Sequence, residues 1–302
     1  SARKARLARH LTSVAALALG LGMAAAPARA QSVTTTGDVR PGGATSPVWT
    51  VSPADIYIGE TGHGTLTVEA GGSVNSVTGR IGVSADAIGE ATVRSGGTWA
   101  SSGNLYVGYF GSGTLTVAAG GKVSNAFGSI GDQVNSEGKV TVTGENSIWE
   151  NTETLFVGSK GEGTLTIKDH GKVVTGAGAA IGFGADSNGK LTVAGEGSSW
   201  DISLGLAVGM GGDGTLIISG GGKVSNELSA FIGHDVDSKG EATVTGPGSI
   251  WENADALHVG REGEGALTIA EGGKVSNVIG YIGSLAGSKG DATVTGAGSI
   301  WE

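Results

Sequence analysis

Gly233-His234-Asp235-Val236-Asp237 offers one imidazole and two carboxylates within five residues, a set that suits a divalent cation. Loops at the same offset along the chain hold Asp86, Asn135, Asp186, Asp237 and Gly287, all turn-forming types, so this aspartate marks a corner. Those loops recur on every second coil of the array derived below. Strand spacing then separates them by about 9.6 Å, too far to share an ion with ~2.4 Å ligand bonds. Gly211-Gly212-Asp213-Gly214 has the outline of a calcium-binding nonapeptide, but the other copies place His63, Ser112, Glu162 and Glu264 where Asp213 stands. Gly184 to Leu191 follows a phosphate loop until its last position, where leucine replaces the magnesium-binding hydroxyl. It also precedes a strand rather than a helix. Asp169-His170 and Trp200-Asp201 depart from the surrounding pattern without an evident partner. The clustered carboxylate pair of a glycosidase and the G-x-S-x-G nucleophile motif do not occur. We therefore expect no catalytic, cofactor-binding or metal residues. A carbohydrate-active β-helix enzyme, lyase or glycosidase-like, stands as the alternative.

Two polar columns survive this search. Lys122, Lys172, Lys223 and Lys274 recur every second coil. Solubility and protection of strand edges explain such lysines; a ladder facing acidic glycans or a negatively charged surface is the functional alternative. Asn125, Asn151, Asn226, Asn253 and Asn277 are expected to form amide ladders at a corner.

The elements that carry these residues follow from a ruler of about fifty residues. The six tryptophans, Trp49, Trp99, Trp149, Trp200, Trp251 and Trp301, are separated by 50, 50, 51, 51 and 50 residues. Each unit divides into halves of about 25. Val68, Val93, Val117, Val142, Ile167, Val193, Ile218, Val244, Ile269 and Val294 form one apolar column of these halves. Ile58 to Ile282 forms a second before glycine, and valine alternates with tryptophan from Val74 to Trp301 in a third. Segments such as Thr114-Leu115-Thr116-Val117 alternate with period two, as half-buried strands do. Glycine clusters separate them where corners need positive φ. Three short strands and three corners per equal coil predict an all-β fold: a right-handed, single-stranded parallel β-helix of about ten ~25-residue coils in five ~50-residue repeats. An antiparallel sandwich accommodates short strands but not columns that match in every coil.

Composition agrees. The chain has 302 residues, 59 of them glycine, no cysteine and 38% hydrophobic residues. Residues 1–30 combine Arg3, Lys4, Arg6 and Arg9 with an apolar stretch and Ala28-Arg29-Ala30, and read as a signal peptide. The remaining chain carries 14 basic against 28 acidic residues, which disfavours nucleic acid as a partner. Residues 31–48, with Pro41, Pro47 and no periodicity, read as a flexible lead-in. Residues 49–302 are the repeats.

The pattern G-x-G-T-L-T-V-x-x-G-G-K-V-S-N, then I-G, then T-V-T-G-x-G-S-x-W-E-N, resembles the passenger-associated repeat of autotransporters, the type V secreted proteins. Some proteins with a Pro-Glu-Pro sorting tail share it. The resemblance spans residues 49–302 and implies a passenger exported through the inner membrane to the cell surface, the outer membrane or the medium. It also implies an outer-membrane translocator barrel, which this chain lacks. Because Ser299-Ile300-Trp301-Glu302 ends in mid-repeat, we expect a fragment of a longer protein. The expected role is a rigid stalk or a module for adhesion and self-association, with a host or neighbouring-cell surface or glycans as partners and no cofactor. An inert spacer for a missing functional domain is a further alternative.

Overall fold

The computed structural model describes residues 32–302. The export signal expected over residues 1–30 lies outside the described residues. Described residues hold no helix long and apolar enough to cross a membrane.

Short strands with inward apolar residues cannot bury them alone; they must stack. The structure does this in three sheets of eleven strands each, every coil giving one strand to each sheet. Long strands such as Ser112–Ala118 and Glu137–Thr143 form the first sheet. Three-residue strands such as Leu105–Val107 form the second, and four-residue strands such as Lys122–Asn125 the third. Neighbouring coils pair in parallel and in register: Leu115 faces Val140, and Val117 faces Val142. The fold is a parallel β-solenoid of about ten turns.

The three apolar columns line one continuous interior. Val117, Val142, Ile167, Val107 and Ile130 have no exposed surface, and complete burial of such a side chain is worth ~1.5–3 kcal/mol. In the third sheet Val123 sits between Trp99 and Trp149, and Val173 between Trp149 and Trp200. Alternating large and small residues lets successive layers interdigitate at interior density. Burial requires a coil on both sides: Ile282 and Val294, on the last described coil, are 54% and 47% exposed, although their counterparts Ile232 and Val244 are at 0%.

Strands occur within the stretch read as a lead-in, at residues 32–37, 39–40 and 48–50. Strands β1 (Ser32–Gly37) and β2 (Val39–Arg40) add antiparallel to the first and second sheets, against β5 (His63–Glu69) and β4 (Ile56–Ile58). Strand β3 (Val48–Thr50) joins the third sheet in parallel with β6 (Ser73–Ser76). Val33 and Val39 are buried on the first coil, and β1 and β2 occupy backbone edges that would otherwise be open to other chains.

Among the described residues the expected amide ladder forms only between Asn125 and Asn151; Asn226 and Asn253 donate instead to the Leu228 and Ser276 carbonyls. Trp149 Nε1 donates to Asn125 Oδ1 at 2.7 Å, and Asn125 Nδ2 donates to Asn151 Oδ1 at 2.8 Å. Trp251 Nε1 donates likewise to Asn226, Trp200 to the Thr175 hydroxyl and Trp99 to the Ser76 hydroxyl. The indoles of Trp99, Trp149, Trp200 and Trp251 thus each find an acceptor one coil back. Asn125→Ala, by orphaning the Trp149 donor, is expected to cost ~1–3 kcal/mol. Urea unfolding of the variant beside Ser124→Ala, a change on the outward face of the same strand, measures it.

Candidate functional site

A solenoid interior packed with apolar residues leaves function to three outward faces. The first sheet shows a threonine column, Thr116, Thr141, Thr166 and Thr192 in successive coils. Beside it run charged residues with local partners, such as Lys139 with Glu137 at 2.5 Å and Lys239 with Glu241 at 2.7 Å.

The third sheet carries the lysine column. Lys122, Ile148, Lys172, Ser199, Lys223, Ile250 and Lys274 are register neighbours in turn. All four lysines are exposed, and none makes an ion pair among the described residues. Lys172 and Lys223 also border a corner groove of about 790 Å³ with Glu196. Two residues further along the intervening strands stand Glu150, Asp201 and Glu252. Cations and anions therefore alternate over this face, an arrangement the sequence columns taken singly did not show.

The second sheet gathers the aromatics. Its outward column reads Tyr57, Arg80, Tyr106, Ser129, Phe156, Ala180, Ala207, Phe231, His258 and Tyr281 in successive coils. Tyr109, Phe110, Phe127 and Phe183 adjoin it. Every phenylalanine and tyrosine of the chain belongs to this face. Arg80 lies over the rings of Tyr57, Tyr106 and Tyr109 and bonds Asp55 at 2.6 Å. Partial burial works against the Asp55 anion, yet the Arg80 hydrogen bond and charge hold its pKa below the ordinary value. At the other end Phe231, His258 and Tyr281 stack with centroids 5.0 and 4.5 Å apart. Between the two ends, Ala180 and Ala207 leave a trough of about 300 Å³. Sequence reasoning missed this face because no single residue type repeats along it; the confinement of all nine Phe and Tyr to the second-sheet strands and the corners beside them was the available signal.

The polar candidates stay apart. His234 Nδ1 meets Asp235 Oδ1 at 2.5 Å, and Arg261 approaches His234 Nε2 at 3.1 Å. Asp169 accepts from the Thr143 hydroxyl and Asp201 from the Ser225 hydroxyl. Among the described residues no three His, Asp or Glu side chains converge as metal ligands would.

His258 links the aromatic face to pH. Partial burial, reinforced by the Arg261 and His234 charges and opposed by Asp255, lowers its pKa below 6.5. Its Nδ1 also meets the Ser284 hydroxyl at 2.9 Å. The fold therefore binds fewer protons here than the unfolded chain. Its contribution is complete above pH ~6.5 and declines as pH falls through that value toward the lower folded pKa. His258→Phe keeps the stack and removes the proton. Between about pH 7.5 and about pH 5, its melting temperature should fall less than that of the parent protein, as thermal unfolding at the two pH values will read.

No family model matches the chain, and no solved structure matches it. A stretch of 101 residues is 38% identical to a protein of Brucella suis biovar 1 (strain 1330) named Adhesin BmaC autotransporter; it covers 32% of this chain and 3% of that protein. The similarity and the solenoid together fit an autotransporter passenger. The particular relative that it resembles is an adhesin, and the chain spans only a small part of that relative's length.

Proposed function

We propose that this chain is a surface-displayed autotransporter passenger that mediates adhesion, with its coils serving as a rigid rod that presents the outward faces. The observation that carries the reading is the in-register solenoid whose sequence resembles a stretch of an autotransporter adhesin. The concentration of aromatics, most of them half-buried, on one outward face supports adhesion over a plain stalk, because a spacer needs no such aromatic stripe. Export by the N-terminal signal and release to the surface through an outer-membrane barrel belong to this proposal. The test compares cells making the parent protein with cells lacking residues 49–302 in frame. Adhesion predicts protease-accessible repeats on intact cells and reduced attachment after the deletion. Unchanged attachment with intact display would favour the spacer; repeats protected from protease would overturn display.

A second contact surface is the lysine column, favoured by four exposed cations that make no ion pair among the described residues. The interleaved Glu150, Asp201 and Glu252 make contacts with acidic glycans weak and strongly salt-sensitive. Replacing the four lysines with glutamine should abolish retention of the protein on an acidic polysaccharide column at low salt; retention unchanged by the replacement would remove the ladder from consideration.

A further inference from the structure

The outward aromatic column is a stack with one layer missing. Phe231 lies against His258, and His258 against Tyr281, with rings 20° and 13° from parallel. On the other side Phe183, which borders the same trough as Ala180, stacks on Phe156 at 4.0 Å and 14°. Three coil steps of ~4.8 Å separate Phe156 from Phe231 along the column, about 14 Å. After the Phe183 layer about 10 Å remains up to Phe231. Aromatic pairs settle with centroids ~4.5–7 Å apart, so this gap admits one further ring and leaves room for no second. Ala207 and Gly205 form its floor, and Met210 and His234 its side. Met210 supplies a soft, polarizable wall that suits aromatic contact.

The surroundings indicate what carries the ring. Leu204 and Leu228 stand on adjacent coils beside the slot and are 43% and 49% exposed; the Leu228 amide donates to the Leu204 carbonyl. Exposed leucines at one edge of an aromatic-sized pocket suit a protein contact, in which a buried anchor is flanked by apolar residues that exclude water. The same corner carries Glu153, Glu227 and Asp255, with Asp201 and Glu252 on the adjoining third sheet, and none of the five makes an ion pair among the described residues. A hexose ring carries hydroxyls around its edge and would find almost only carbon in this slot. A basic polypeptide with a projecting aromatic side chain matches both the slot and the charge.

We propose that the slot between Phe183 and Phe231 captures one aromatic side chain of a partner polypeptide whose flanking residues are basic. The proposal rests on the adhesive reading above and names the chemistry of one contact within it. The ring completes the stack over Ala207, its backbone lies across Leu204 and Leu228, and its cations face Glu153, Glu227 and Asp255.

The test titrates the parent protein with the capped peptide Lys-Gly-Trp-Gly-Lys, using calorimetry or saturation-transfer NMR. The expected result is binding that weakens about tenfold or more when leucine replaces the peptide's tryptophan or glutamate replaces its lysines. Ala207→Phe, which fills the slot from within, should abolish it. Phe183→Ala, which opens the slot instead of filling it, should weaken it as well and gives the same answer should the filled variant misfold. No binding by the parent protein, binding indifferent to both variants, or equal binding of the leucine peptide would each overturn the proposal. Attachment of cells separates this from the adhesive reading: attachment lost with residues 49–302 yet unchanged by Ala207→Phe condemns the slot alone. Peptide capture without any loss of attachment condemns adhesion and leaves the slot standing.

Discussion

Replacing Trp149 with alanine is expected to destabilise the fold by about 3–5 kcal/mol, the range for removing a fully buried large aromatic. The indole has no exposed surface, and its register neighbours are only Val123 and Val173. Neither valine can extend into the space left behind. The Asn125 carbonyl would also lose its indole donor. Because each coil contacts chiefly its neighbours, the loss should be felt as a weak joint in the middle of the array. Limited proteolysis should therefore yield two resistant fragments divided near residue 149, and urea unfolding should become biphasic. Unfolding in one step at the parent midpoint would show that the interior does not depend on the tryptophan layers.

Gly138→Ala is expected to cost about 3 kcal/mol or more, although the change adds one methyl group. The new Cβ would lie 2.1 Å from the Val107 carbonyl oxygen and 2.4 Å from the Gly131 nitrogen. Both are backbone atoms of the corner, held by the Gly131 amide donating to the Val107 carbonyl at 2.9 Å, and cannot turn aside as a flexible side chain would. Gly96→Ala is the companion measurement. Gly96 has φ +76° but nothing within 4 Å of its added Cβ, so only the left-handed backbone opposes substitution, at about 1–2 kcal/mol. His170, the counterpart of Gly96 two residues after a first-sheet strand, already occupies this corner position at φ 70°. Chemical denaturation of both variants should rank Gly138→Ala well below Gly96→Ala. The reverse order would place backbone conformation, and not the close approach of successive coils, in control of glycine use.

Much of this architecture was legible because a solenoid writes its geometry as period. The apolar columns from Val68 to Val294 and from Val74 to Trp301 lie along single sheets, each residue paired with its counterpart one coil away. What escaped the reading lacked period. Ser32–Gly37 holds three threonines and one inward valine, and it pairs in the opposite direction to every coil strand of its sheet. Nothing in its local pattern specifies that pairing, which depends on the open edge of β5. The asparagines were recognised as a column, but their partners were not, because the spacing from Asn125 to Trp149 becomes a hydrogen bond only once the coils stack. On the aromatic face the position is constant while the residue varies: Phe156, Ala180, Ala207, Phe231. A search for repeated residue types passes over such a site, and a search for polar clusters passes over it again. The lysine column was seen, yet its electrostatic character depended on Glu150 and Asp201 in the coils between.

The stacking of coils in register is best tested by distances along one column. The chain has no cysteine, so pairs of cysteines introduced at the exposed positions Lys122, Lys223 and Lys274 can carry spin labels without background. Lys122 and Lys223 are four coil steps apart, and Lys122 and Lys274 six. At ~4.8 Å per step, pulsed electron spin resonance should give about 19 Å and about 29 Å, with a difference of about 10 Å for the pair Lys223 and Lys274. Three distances that add along a line are the predicted result. Distances that do not add, or a longest pair no farther apart than the shorter ones, would contradict a single stacked coil array.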